Sequence, residues 1–203
     1  MKITIQEVFP TLFYEFKFSE EQILPLYEEI TSKKDTIKKV YNDLQRSAEA
    51  KIDYWTDFNS PTILLEYEKL TKEISSQFLP EMYCENVVYW TSIYEALGYH
   101  EAHNHSPELY DIPISNMSSV LYLSDIGYTE FLNPKLTVSV PENKLIRIPS
   151  QVGKMIIFPD YVLHSALSHG KKKPQEKIIV SSNWRLYNQS EVDDAVKKSN
   201  KIW

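Results

Sequence analysis

Asn86-Val87-Val88-Tyr89-Trp90-Thr91-Ser92-Ile93-Tyr94-Glu95 is the stretch that decides the fold class. Val87, Tyr89, Thr91, Ile93 and Glu95 alternate against Val88, Trp90, Ser92 and Tyr94. A period of two belongs to a strand, whose successive side chains point to opposite faces. Short runs of the same kind recur at 118–123, 136–140, 144–148, 154–158 and 177–186. Turn signals separate them at Asp125-Ile126-Gly127, Asn133-Pro134, Pro141-Glu142-Asn143 and Ser150 to Gly153. Such spacing predicts an antiparallel barrel or sandwich.

Upstream, the chain reads helical after a short strand carried by Ile3, Ile5 and Val8. Ser19-Glu20-Glu21-Gln22 fits a capping box, and Ile23, Leu24, Leu26, Tyr27 and Ile30 follow at helical spacing. Asp35 is expected to cap a polar helix running through Leu44. Ser60-Pro61 starts another, whose apolar stripe is Ile63, Leu64, Tyr67, Leu70, Ile74 and Phe78. Residues 190–198 read as a short terminal helix, with Ser190 and Asp193 as its cap pair. The expected architecture is α+β but mainly β: a jelly roll with helices packed on one face. It forms a single domain over 1–203, with a helical part at 1–85, a β-jelly-roll core at 86–187 and a C-terminal helix within 188–203.

Composition removes several function classes. A chain of 203 residues buries a core without needing disulfides. Its formal net charge of −6 argues against general nucleic-acid binding. The four glycines, Gly98, Gly127, Gly153 and Gly170, cannot form a dinucleotide fingerprint or a P-loop. The single cysteine, Cys84, forms no internal disulfide or cysteine-rich metal site, and reads as a small buried residue. The opening MKITIQEVF lacks the apolar stretch of a signal peptide, and no run approaches the roughly 20 apolar residues that span a bilayer. A cytoplasmic protein is expected.

All five histidines, His100, His103, His105, His164 and His169, fall in the β-rich half. In His103-Asn104-His105, alternation puts two imidazoles on one face. His164 arrives 59 residues later (164 − 105), after the apolar run ending Phe158-Pro159. A close pair plus a distant histidine on a late strand is a way for a jelly roll to hold a mononuclear metal, and imidazole suits Fe, Zn, Cu or Ni. His100 and His169 are expected on the surface. Trp90, Tyr94 and Trp184 read as barrel core, and Lys171-Lys172-Lys173 as a solvated turn.

Together, 99–106, the run Ser118-Ser119-Val120-Leu121-Tyr122-Leu123, the run 153–159, His164 and the run 177–183 resemble 2-oxoglutarate/Fe(II) oxygenases of phages and marine bacteria. The resemblance is dense from Trp90 to Asn183, and Val8-Phe9-Pro10 is similar to the family's start. It implies a double-stranded β-helix of the prolyl-hydroxylase-like, cupin-like kind. It also implies Fe(II), with 2-oxoglutarate and O2 as cosubstrates and an unidentified primary substrate. His103 and His164 would be metal ligands. Relatives place Asp or Glu two residues after the first histidine; this chain has His105 there. The third ligand is then His105, or a carboxylate from Glu101, Glu108, Asp111 or Asp125. Lys177 stands where relatives use Arg for the far carboxylate of 2-oxoglutarate, with Ser181 and Asn183 on the same strand face and Tyr122 as a further donor. Two other readings stay open: a cupin-like three-His dioxygenase that does not use 2-oxoglutarate, and a non-catalytic phage interaction protein on the same barrel.

Overall fold

The computed structural model describes residues 2–8, 11–37, 39–43, 46–54, 64–78, 82–105, 116–133, 145–169 and 175–188. Among these residues, twelve strands and two helices occur in the order β1 (Lys2–Val8), β2 (Thr11–Lys17), α1 (Glu20–Lys33), β3 (Lys39–Asp43), β4 (Arg46–Tyr54), α2 (Leu65–Phe78) and β5 (Met82–Tyr94). There follow β6 (Tyr99–His103), β7 (Met117–Tyr122), β8 (Tyr128–Leu132), β9 (Leu145–Pro149), β10 (Lys154–Pro159), β11 (His164–Ala166) and β12 (Lys177–Asn188).

Every strand pairing is antiparallel. The larger sheet runs β1-β2-β10-β7-β12-β5-β4, and the smaller runs β4-β6-β11-β8-β9. β4 is the corner strand. Its Lys51–Tyr54 half pairs with β5, while Ala48 and Glu49 pair with β6. The result is a mainly β jelly roll with two helices against one sheet.

The two faces of the larger sheet bury two separate cores. Met155, Ile157, Leu121, Ile178, Val180 and Trp184 point outward and pack against Ile23, Leu26 and Ile30 of α1 and Tyr67, Leu70 and Ile74 of α2. Ile156, Phe158, Val120, Tyr122 and Ile179 point inward and meet Phe13, Phe131 and Val162. One alternating strand therefore serves both cores, as a sheet covered on both faces requires. Ser19 caps α1 as expected: its hydroxyl accepts from the Gln22 amide, and the Gln22 side chain accepts from the Ser19 amide. Gly153, in the turn just before β10, has φ 78°, and a Cβ there would lie 2.4 Å from the carbonyl oxygen of Phe18, so only glycine fits this turn.

The helix expected from Asp35 does not form. Lys39–Asp43 is a strand instead, paired to β4, so tertiary pairing overrides a polar local pattern. Among the described residues, the first 85 hold β1 to β4 and the start of β5 beside the two helices. The Ser60-Pro61 helix start, the run 136–140 and the terminal helix at 190–198 lie outside the described residues. No helix among the described residues is long and apolar enough to cross a membrane.

A buried polar chain ties α2 to the sheet. Trp184 Nε1 donates to Ser119 Oγ at 2.9 Å, Ser119 Oγ lies 2.7 Å from Ser182 Oγ, and Ser182 Oγ lies 2.7 Å from the Tyr67 hydroxyl. Removing the middle of that chain strands a buried indole N–H, whereas removing its end does not. Ser119→Ala should therefore lower unfolding free energy by about 1–3 kcal/mol, and Tyr67→Phe by about 1 kcal/mol. Urea denaturation midpoints check the order; equal losses would mean that the chain is not a linked unit.

Candidate metal centre

Strand pairing assembles the site. β6 ends at His103, and antiparallel register places His103 directly opposite His164, the first residue of β11. His105 follows two residues after His103, and its backbone N–H donates to the Asp160 carbonyl at 2.9 Å. One ring nitrogen from each of His103, His105 and His164 lies within 4.8 Å of the others. Two nitrogens bound about 2.1 Å from one metal lie at most about 4.2 Å apart. Three nitrogens in a tetrahedral or facial set at that bond length lie about 3.0–3.4 Å apart, so closing the cluster onto an ion needs inward ring shifts of up to about an ångström each.

The hydrogen bonds decide which nitrogens face the centre. His103 Nδ1 donates to the Glu101 carbonyl at 2.8 Å, and His164 Nδ1 to the Val162 carbonyl at 3.0 Å. His105 Nδ1 lies 2.7 Å from Asn183 Oδ1, which also accepts from the Ser118 hydroxyl at 3.3 Å. An Nδ1 that donates its proton leaves Nε2 with a free lone pair, the form a metal takes. Burial holds the His164 imidazolium pKa well below the ordinary histidine value, helped by the neighbouring His103 and His105 rings, so His164 is neutral. Phe158 and Phe131 flank His164, with ring centroids 4.9 and 6.0 Å away. Trp90 lies beside His105 at 5.2 Å.

The carboxylate candidates are placed elsewhere. Glu101 is exposed and contributes only its carbonyl, to His103. Asp125 is exposed and accepts from the Val152 amide at a turn. Glu108 and Asp111 lie outside the described residues. Among the described residues, the group able to hold a metal is the three histidines.

The expected cosubstrate residues share the inward face of β12 only in part. Lys177 is fully buried; its ammonium donates to the Tyr128 carbonyl at 2.6 Å and lies 5.7 Å from the Tyr94 ring centre. No carboxylate faces it among the described residues, and desolvation brings its pKa down to about 7. Tyr122 is also fully buried, and its hydroxyl donates to Thr129 Oγ1 at 2.8 Å. Ser181 lines the cavity beside His103 and His164. Asn183 sits against His105 and Ser118.

His100 is a correction. Expected on the surface, it is 4% exposed, and its ring stacks on that of His103 with centroids 4.1 Å apart. The cause is a β-bulge. His103 and His100 pair with His164 and Ala166, so β6 uses three residues where β11 uses two. The extra residue turns both rings inward and leaves Glu101 and Ala102 exposed. His169 is half-buried, with Nε2 2.9 Å from the Gln175 carbonyl.

No family profile matches the sequence, and no curated protein does. Solved structures match its shape. A prolyl-4-hydroxylase of Pseudomonas putida aligns over 85% of this chain and 91% of its own, at 12% identity and TM-score 0.57. The non-heme α-ketoglutarate-dependent epimerase SnoN of nogalamycin biosynthesis aligns over 87% and 80%, at 11% identity and TM-score 0.64. SnoN has also been solved with Fe3+, α-ketoglutarate and nogalamycin RO. The viral collagen prolyl hydroxylase of Paramecium bursaria Chlorella virus-1, solved with 2-oxoglutarate, aligns over 85% and 94%, at 15% identity and TM-score 0.53. At these identities the likeness is one of fold: the chain is a double-stranded β-helix of the kind these proteins share.

Proposed function

We propose that this protein is an Fe(II)- and 2-oxoglutarate-dependent oxygenase, and specifically a hydroxylase. The observation that carries the reading is the set of three converging imidazoles, each with Nδ1 engaged by a fixed acceptor. His103, His105 and His164 would hold the metal through Nε2. When bound, iron with 2-oxoglutarate and O2 supplies the oxidation: a substrate C–H becomes C–OH while the cosubstrate leaves as succinate and CO2. The protein's part is placement. The Glu101 and Val162 carbonyls and Asn183 fix the ring tautomers and orientations. The Lys177 ammonium supplies the charge for the far carboxylate, with one hydrogen bond rather than the bidentate fork of an arginine. The Phe131 and Phe158 rings keep water from one side of His164. A neutral His105 in place of a carboxylate leaves the site one unit more positive, which favours anionic ligands.

The second reading is a three-His dioxygenase that does not use 2-oxoglutarate. It draws on the same replacement, because the metal-holding group among the described residues contains no carboxylate. The buried, acid-free Lys177 favours the first reading, since a dicarboxylate gives that ammonium a partner.

The protein should bind one first-row divalent metal per chain, and His164→Ala should abolish binding. Asn183→Leu should weaken it about 10–100-fold, because His105 loses the acceptor that fixes its tautomer. Metal analysis and competition with a chromophoric chelator measure both. No metal uptake by the wild type would remove both enzymatic readings.

2-Oxoglutarate should bind the metal-loaded protein in a way that depends on pH through Lys177. The free ammonium titrates near 7, and a paired carboxylate raises that value, so the complex holds a proton that the free protein loses above pH 7. Affinity should be steady below pH 7 and fall about tenfold per unit above it. Lys177→Met should flatten that slope and weaken binding at pH 6.5 by about two to four decades, the cost of an unpaired buried carboxylate. Calorimetric titrations across pH test this. Superimposable curves for the two proteins would remove Lys177 from the site.

A further inference from the structure

The inward face of the larger sheet opens along its strands. On β12, Ile179 and Ser181 are buried, and Asn183 is half-buried. On β5, Tyr94 and Ser92 are buried, and Trp90 and Val88 are half-buried. Register pairs Ser181 with Trp90 and Asn183 with Val88, so the three half-buried residues form one patch. His105 adjoins it: its ring centre lies 5.2 Å from that of Trp90, and its Nδ1 2.7 Å from Asn183 Oδ1. A His105 that binds metal through Nε2 carries its proton on Nδ1, so the Asn183 amide must turn its oxygen to the ring. The Ser118 hydroxyl, on the β7 side of β12, donates to the same oxygen. Nδ2 is thereby left on the β5 side, toward Trp90 and Val88, and among the described residues nothing accepts from it. The next pair along this face, Arg185 and Glu85, neutralise each other at 3.2 Å. The patch thus offers an aromatic ring, an aliphatic side chain and two amide protons, with no unpaired charge among the described residues.

We propose that the primary substrate docks on this patch and is a neutral amide, with Asn183 as the specificity-determining residue: Nδ2 donates to the amide oxygen while Trp90 and Val88 cover the adjoining carbon chain. This rests on the reading of the three imidazoles as a metal site. A charged headgroup would find no counter-charge on the patch, and a purely apolar one would leave the Nδ2 protons without an acceptor. One side chain then serves two tasks. Its oxygen orients a ring of the metal cluster, and its nitrogen holds the substrate against that ring.

The test uses the full chain, labelled with nitrogen-15, loaded with Zn(II) and titrated with N,N-diethylacetamide, a neutral amide that accepts hydrogen bonds and donates none. In NMR spectra the Asn183 side-chain NH2 signals should shift on titration, together with the Trp90 indole N–H signal. Asn183→Asp keeps an oxygen for His105 and Ser118 and replaces the donor with a second acceptor. This variant should hold Zn(II) at least as tightly as the wild type, because a carboxylate makes the His105 ring a more basic ligand. It should bind the amide roughly tenfold more weakly, the loss of one hydrogen bond. Equal amide affinity in the two proteins would overturn the inference. So would a Zn(II)-loaded wild type whose Asn183 signals stay still at amide concentrations that move other signals, or that move none at all. A wild type that takes up no Zn(II) would overturn the metal reading itself, and the docking patch with it.

Discussion

The alternation of β12 is the constraint on which the molecule depends. Ile178, Val180 and Trp184 must face the helices, because they complete the outer core with α1 and α2. The alternate residues then face inward, so Ile179 and Ser181 line the barrel and Lys177 meets Tyr94. A shift of one residue would exchange the two sets, burying the lysine under the helices and turning Val180 and Trp184 into the cavity. The outer core thus fixes the chemistry of the inner one. The chain of Trp184, Ser119, Ser182 and Tyr67 reinforces the register with directional bonds that no slipped pairing satisfies.

The same alternation explains what the sequence discloses. The pattern from Asn86 to Glu95 predicts β5, and the later runs predict β7, β10 and β12, because strands covered on both faces carry apolar residues on each. The spacing in His103-Asn104-His105 and the late His164 point to a shared centre, since alternation acts over two residues and needs no knowledge of the loops. β3 escapes because Lys-Val-Tyr-Asn-Asp has no apolar face of its own, and its partner β4 supplies its hydrogen bonds. His100 escapes for a different reason. Counting by twos from His103 puts Glu101 inward and His100 outward, and only the bulge opposite His164 and Ala166 reverses this. A bulge is set by pairing between strands more than 60 residues apart (164 − 103), and nothing in Tyr99-His100-Glu101-Ala102-His103 announces it.

Asn183 shows how a face can be legible while a role is not. Alternation places it with Lys177 and Ser181, where a ligand contact is the natural expectation. β12 is long, however, and Asn183 pairs near its outer half, with Ser118 on one side and Val88 on the other. There it meets His105 rather than the lysine. One strand face therefore carries a charge at one end and, at the other, the acceptor that orients a ring of the metal cluster.

The surroundings of Lys177 are electrostatically unbalanced, and the direction of the imbalance bears on what fills them. A buried lysine whose folded pKa lies below its unfolded value costs stability at low pH, and the cost fades as pH rises from about 7 toward the ordinary lysine range. The cavity is lined by three imidazoles and by no carboxylate among the described residues, whereas elsewhere on the inward face Lys154 pairs with Glu15 at 3.7 Å and that carboxylate acts on Tyr122. Side chains selected for packing alone would not gather there, since each polar group carries a desolvation penalty that a leucine or phenylalanine avoids. Lys177 meets a carbonyl and an aromatic face, both weaker partners than an anion. A metal dication at His103, His105 and His164 would add positive charge. An anion held between such a metal and Lys177 would offset both, which is the arrangement the proposed dicarboxylate cosubstrate requires.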